Sequence, residues 1–346
     1  MPAWCGRVRP RASPRKRAAP TCDVRARDAA RRLHVPLDHT ARGVFPIAPT
    51  PFHADGRIDL GSVDRMTDFY VATGATGLTV LGVMGEAPKL DAAEALELAV
   101  RFVRRAPSLP VVVGVSAPGF AAMRALARAS MDAGAAGVMI APPHTLRTDD
   151  QVAAYYAGAI EAVGADVPVV VQDFPLTFGV VMAPGLIRRI VSDNPSVVML
   201  KHEDWPGLEK ISALRAWQAA GEMRPISILC GNGGLFLDFE VERGADGAMT
   251  GYAFPDMLVD VVRMAAAGEP DAAHDLFDAH LPLLRYEQQP SVGLAVRKYV
   301  MARRGIIASD AQRKPAVSLS KAAVAEVEYL LGRLAKADPR AAGRIG

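Results

Sequence analysis

Eight short apolar runs recur roughly every thirty residues in this 346-residue chain, each separated from the next by a helical pattern. They are GVFPIAPTPF (43–52), TGLTVLGVMGE (76–86), LPVVVGVSA (109–117), GVMIAPP (137–143), VPVVVQDFP (167–175), SVVMLKHE (196–203), ISILCGNG (226–233) and GAMTGYAFP (247–255). Between them, DAAEALELAVRFVRRA (91–106) offers Asp91 as an N-cap, with acids early and arginines late, as a helix dipole favours. FAAMRALARASMDAG (120–134) and TDDQVAAYYAGAIEAVG (148–164) both end on a glycine stop. Strands that are apolar on both faces and alternate with helices imply βαβ units and a parallel sheet. Eight such units suit a closed α/β fold, the (β/α)8 barrel, expected over residues 43–268. An open doubly wound sheet would carry a glycine-rich phosphate turn after its first strand, and PIAPTPFHADG is not one. Three further helical patterns, the last two parted by Pro315, read as a C-terminal helical extension over 269–346.

Half of the residues are hydrophobic, enough for a large core, yet no apolar run approaches the ~20 residues of a membrane span. The three cysteines, Cys5, Cys22 and Cys230, are odd in number and widely spaced. That pattern suggests neither a disulfide framework nor a metal site, and it suits a reducing cytoplasm. Cys230, closing an apolar run, reads as core. The net charge of +3 hides an asymmetry: residues 1–42 carry 11 Arg/Lys against 3 Asp/Glu, leaving the rest at about −5. This Pro- and Arg-rich segment lacks the apolar centre of a secretory signal and is expected to be a disordered tail. A nucleic-acid tail, a transit peptide, or a start assigned upstream of a true beginning near Val35 are left open, and the tail is given no part in the main function.

Chemistry in such a barrel sits at the C-terminal ends of the strands. Lys201 is the single lysine at these ends, closing the buried run VVML. An ammonium there either reaches solvent or is held for chemistry. Strand alternation puts Glu203 on the same face, so a free amine that attacks a carbonyl would have a carboxylate beside it to move protons. The plain structural alternative is a solvated ion pair on a loop. In GVMGE (82–86), backbone N–H groups around Val83 and Met84 could hold a substrate carboxylate, or the segment could be an ordinary tight turn. Gln172, at the end of the fifth run, could orient a hydroxyl or satisfy neighbouring backbone.

Over residues 43 to about 336 the chain resembles the dihydrodipicolinate synthase/N-acetylneuraminate lyase family of class I Schiff-base lyases, through PIAPTPF, the long segment DGRIDLGSVDRMTDFYVATGATGLTVLGVMGEAPKL, VPVVVQDFP and VVMLKHE. The departures are informative. Val83 and Met84 stand where the family has two threonines, Gln172 where it has the tyrosine of Tyr-Asn-x-Pro, and Pro143 and His144 where tyrosines follow strand four. The arginine expected after that motif is missing from PLTFG. The L-2-keto-3-deoxyarabonate dehydratase subgroup is similar in VQD-x-P at strand five, Lys-x-Glu at strand six, GAMTG at strand eight, LPLLRYEQQ and GIIAS. It implies Lys201 as the Schiff-base lysine, Glu203 and Gln172 in place of the tyrosine relay, and Val83, Met84 and Met249 as substrate-binding. It also implies a small 2-keto acid as substrate, no cofactor and no metal, no nucleic acid or membrane partner, and a homotetramer or homodimer.

The expected reaction is therefore dehydration of a 2-keto-3-deoxy sugar acid. Two rivals use the same residues: a pyruvate-dependent aldolase or dihydrodipicolinate-synthase-like condensation, and a non-catalytic keto-acid-binding barrel.

Overall fold

The computed structural model describes Met1 and residues 36–343. Eight strands lie within the eight apolar runs: β1 Gly43–Val44, β2 Leu78–Val80, β3 Val111–Gly114, β4 Gly137–Ile140, β5 Val169–Asp173, β6 Val197–His202, β7 Ser227–Cys230 and β8 Gly247–Ala248. They form one parallel sheet in the order β1-β8-β7-β6-β5-β4-β3-β2. Residues just after β1 close it into a barrel. Thr79 donates to Pro46 O and Ala48 donates to Thr79 O, each at 2.9 Å.

Among the described residues, twelve α-helices surround the strands or follow them. They are α1 Leu60–Ala72, α2 Ala92–Arg105, α3 Phe120–Asp132, α4 Asp149–Val163, α5 Pro175–Phe178, α6 Pro184–Asp193, α7 Leu208–Ala219, α8 Leu237–Glu242, α9 Pro255–Ala266, α10 Pro270–Glu287, α11 Gly293–Arg303 and α12 Lys321–Leu334. Local signals set their ends. Asp91 caps α2 in a capping box with Glu94, and Thr148 caps α4 with Gln151. Gly134 and Gly164 turn the chain with positive φ after α3 and α4.

Strand alternation divides the core in two. Val112, Met139, Val170, Met199, Leu229 and Met249 fill the barrel interior, whereas Val113, Val138, Val171, Leu200 and Ile228 face the helices. None of the described helices is long and apolar enough to cross a membrane.

The tail boundary at residue 42 needs correction. Residues 2–35, and the expectation of disorder on them, lie outside the described residues. Residues 36–42, however, are ordered. Leu37 joins the inner core cluster, its N–H donates to Ala136 O, and Ser227 Oγ donates to Ala41 O at 2.7 Å. Grouping these residues with the arginine-rich segment on charge hid one apolar side chain. That side chain is buried in the inner layer with Phe45, Val112 and Met139.

Candidate active site

The end of β6 carries the site because its ladder outlasts the strand. Lys201 pairs across to Gln172 on β5 and Leu229 on β7. One step further, Glu203 N–H still donates to Asp173 O at 2.8 Å and Gly231 N–H to His202 O at 2.7 Å. Alternation therefore holds through Glu203. Lys201 and Glu203 both point inward, continuing the row that Met199 begins. They are only 4% and 5% exposed, and Lys201 Nζ lies 2.8 Å from Glu203 Oε1. A buried ammonium is tolerable when it is paired in this way.

Glu203 is gripped from three sides. Besides Lys201, Gln172 Nε2 donates to its Oε1 at 2.7 Å and the Asn232 N–H donates to Oε2 at 3.1 Å. Gly231 leaves room for it, since a Cβ there would sit 2.2 Å from Glu203 Cγ. Gln172 turns one N–H of its amide to Glu203.

Lys201 and Glu203 open onto a cavity at the C-terminal mouth, whose walls include Val83 and Met84. These two begin a short 3-10 turn, Val83–Gly85. Gly85 N–H donates to Gly82 O and Glu86 N–H to Val83 O, so the Val83 and Met84 amides are the ones the turn itself leaves over. Non-glycine residues with positive φ flank the site: Leu81 (57°) and Glu86 (55°) around the turn, and Asn232 (51°) opposite. Such conformations cost of order 1–3 kcal/mol each and persist where surroundings over-determine them. Glu86 shows how. Its buried carboxylate meets Lys298 Nζ at 2.5 Å and Lys89 Nζ at 2.8 Å, and Lys298 also donates to Thr50 O. Burial pushes Lys298 below the ordinary lysine range, with Glu86 pulling the other way. Lys298 also donates to Ala311 O at 2.9 Å, so this ion cluster fastens the turn to the C-terminal extension. Met249 lies in the apolar inner layer, and the cavity wall beside it is formed by Thr250 and Gly251.

On the outward face of the same strand ends, Asp173 accepts from Lys210 at 2.7 Å, and Lys210 meets Asp204 at 2.6 Å. Glu240 lies in this layer, and desolvation raises its carboxyl to about 7. Among the described residues, no group of His, Cys, Asp and Glu is placed to hold a metal ion.

Sequence reasoning missed part of the wall. Arg297 on α11 and Gln288 just after α10 both line the cavity, though they lie far down the chain in the C-terminal extension. The available signal was RK inside the apolar stretch SVGLAVRKYV, where both Arg297 and Lys298 prove buried.

A parallel eight-stranded barrel with a buried lysine–carboxylate pair at its C-terminal mouth has the layout of an enzyme that works on small carbonyl compounds. Residues 40–334 match the model of the dihydrodipicolinate synthetase family, and the chain belongs to that family, whose members include lyases. It is 30% identical over 307 residues to L-2-keto-3-deoxyarabonate dehydratase of Azospirillum brasilense, covering 85% of this chain and 94% of that protein. It is 27% identical over 301 residues to a probable 2-dehydro-3-deoxy-D-pentonate aldolase of Escherichia coli, covering 84% and 96%. A crystal structure described as dihydrodipicolinate synthase from Rhodopseudomonas palustris superposes with a TM-score of 0.86 at 67% identity, covering 86% of this chain and 99% of that one. The chain is accordingly a lyase of this family.

Proposed function

We propose that the protein dehydrates a 2-keto-3-deoxy sugar acid through a Schiff base on Lys201. The observation that carries this reading is the contact of Lys201 Nζ with Glu203 Oε1 at 2.8 Å, braced by Gln172 where the resemblance leads one to expect a tyrosine hydroxyl. The substrate carboxylate docks on the Val83 and Met84 amides. Lys201 attacks C2 as the free amine; two protons of its ammonium end on the C2 oxygen, which leaves as water to give the iminium, with Glu203 again a carboxylate. The iminium draws electrons from C3. Glu203 takes the C3 proton, giving the enamine. The enamine pair then expels the C4 hydroxyl, which leaves as water with the proton Glu203 returns. Hydrolysis of the unsaturated iminium frees the product and restores the lysine. Gln172 keeps the carboxylate aimed, and Met249 shapes the floor beneath the reacting carbons.

The Escherichia coli relative supports a second reading, in which the same iminium undergoes retro-aldol cleavage and releases pyruvate. The description of the Rhodopseudomonas palustris structure supports a third, condensation of pyruvate with an aldehyde. The resemblance leads one to expect a tyrosine hydroxyl beside the Schiff base, and Gln172 in its place weighs against condensation as the main activity. Incubation with pyruvate, borohydride reduction and peptide mapping tests the lysine: an adduct elsewhere than Lys201, or none, overturns the Schiff base. Mass spectrometry on a panel of 2-keto-3-deoxy acids tests the reaction. A product lighter by one water on an intact skeleton supports dehydration, and free pyruvate or consumption of pyruvate with an aldehyde replaces it. The homo-oligomer that the resemblance implies is part of the same proposal, and light scattering on the purified chain reads it.

A further inference from the structure

We propose that Arg297 and Gln288, contributed by the C-terminal extension, form a neutral hydrogen-bonding anchor for the distal hydroxyl groups of a keto acid held at Lys201, and that they select a polyhydroxy monoacid over a diacid. This rests on reading the cavity as a keto-acid site.

Arg297 is only 2% exposed, and its Nε donates to Glu287 Oε1 at 2.5 Å. Its Nη1 has no hydrogen-bond partner, although the residue lines the cavity with Lys201 and Glu203. Gln288 Nε2 is likewise buried, unpartnered and on the cavity wall. Both donors lie against glycines. A Cβ at Gly251 would sit 2.0 Å from Arg297 Nη1, and one at Gly233 would sit 2.0 Å from Gln288 Nε2. The backbone thus makes room for two nitrogen donors, Arg297 Nη1 and Gln288 Nε2, that have no partner among the described residues. Leaving a buried donor unpaired costs about 1–3 kcal/mol, and an acceptor arriving with the ligand removes that penalty.

Both free groups are N–H donors, so the ligand must present oxygen acceptors. Charge decides which kind. The Arg297 guanidinium is neutralised by Glu287, a fully buried carboxylate that also accepts from Ala253 N–H at 3.1 Å. Lys201 is neutralised by Glu203. The one carboxylate of the ligand goes to the Val83 and Met84 amides, which the turn leaves over on the cavity wall. A second, at the Arg297 end, would be buried against a pair of zero net charge, whereas a hydroxyl accepts from Nη1 and Nε2 without an uncompensated charge.

Titration calorimetry with 2-keto-3-deoxypentonate, pyruvate and 2-oxoglutarate tests the anchor. Wild type is expected to bind the pentonate more tightly than 2-oxoglutarate. Gln288→Leu is expected to lower the ratio of pentonate to pyruvate affinity about ten-fold or more, the loss of one hydrogen bond to a buried donor. Removing Arg297 alone would strand Glu287, so the double variant Arg297→Met/Glu287→Gln provides an independent measure, with the same fall expected. An equal loss for both acids, an unchanged ratio in both variants, or tighter wild-type binding of 2-oxoglutarate overturns the proposal. Binding, not turnover, is read. Absence of a dehydrated product would sink the proposed reaction and leave the anchor to be judged by its own ratio.

Discussion

Replacing Gly231 by alanine tests whether the position of Glu203, as distinct from its presence, governs turnover. The added Cβ would lie 2.2 Å from Glu203 Cγ and 2.5 Å from its Oε2. Carbon atoms in contact prefer about 3.5 Å, so the carboxylate must retreat by about 1.3 Å. Its present contacts are 2.8 Å to Lys201 and 2.7 Å to Gln172, and a shift of that size breaks both or forces them out of line. Misplacing a catalytic group by about 1 Å costs on the order of 10²-fold in rate. The neighbour that must move is a side chain and not backbone, so stability should suffer less: overpacking typically costs about 1–3 kcal/mol. Two assays separate the effects. Steady-state turnover of a 2-keto-3-deoxy acid should fall about 10²-fold, while the melting temperature drops by only a few degrees. Unchanged turnover would show that the carboxylate is not needed where the structure places it. A collapse of melting with proportionate loss of turnover would refute the claim that Glu203 absorbs the clash.

Glu203→Gln keeps the shape and removes the base; turnover should fall ~10²-fold or more while borohydride trapping of pyruvate on Lys201 persists, and full activity would end its assignment. Gln172→Leu removes one brace on that carboxylate and should cost ~10-fold to 10²-fold in kcat, whereas Gln172→Tyr should raise any condensation activity if the missing hydroxyl is what suppresses it. A chain beginning at Val35 should melt and turn over as the full chain does, because the basic segment has too little apolar surface to build a core; extending the deletion through Leu37 should lower the melting temperature, since that side chain is buried. Glu240 is raised to about 7 from 4.5, mainly by desolvation. Its folded form therefore binds more protons than the unfolded chain between pH ~4.5 and ~7, so its contribution to stability falls as pH rises through that window. Glu240→Gln should flatten this part of the melting-temperature profile and stabilise the protein above pH 7 by up to about 3 kcal/mol, and an unchanged profile would show that Glu240 is not the titrating group.

The barrel was legible because its information is local. Eight apolar runs, their helical spacers, the Asp91 and Thr148 caps and the glycine stops are each set within a few residues. Lys201 and Glu203 were legible for the same reason: a period of two is enough to put them on one face, and the ladder continuing through Glu203 N–H keeps that period intact. What the sequence could not determine lies between segments. Whether Gln172 faces substrate or carboxylate depends on the register of β5 against β6. Gly231 reads as an ordinary turn residue until Glu203 is seen against it. Leu37 reads as the end of a charged tail until it is seen buried with Met139 and Val112. Another long gap separates Lys201 from Arg297 and Gln288, which share one cavity although the C-terminal helices lie beyond the barrel strands in the chain. Periodicity encodes which way a side chain faces on its own element. Which side chains from distant elements meet, and which buried donors are left without a partner, is settled only when those elements pack.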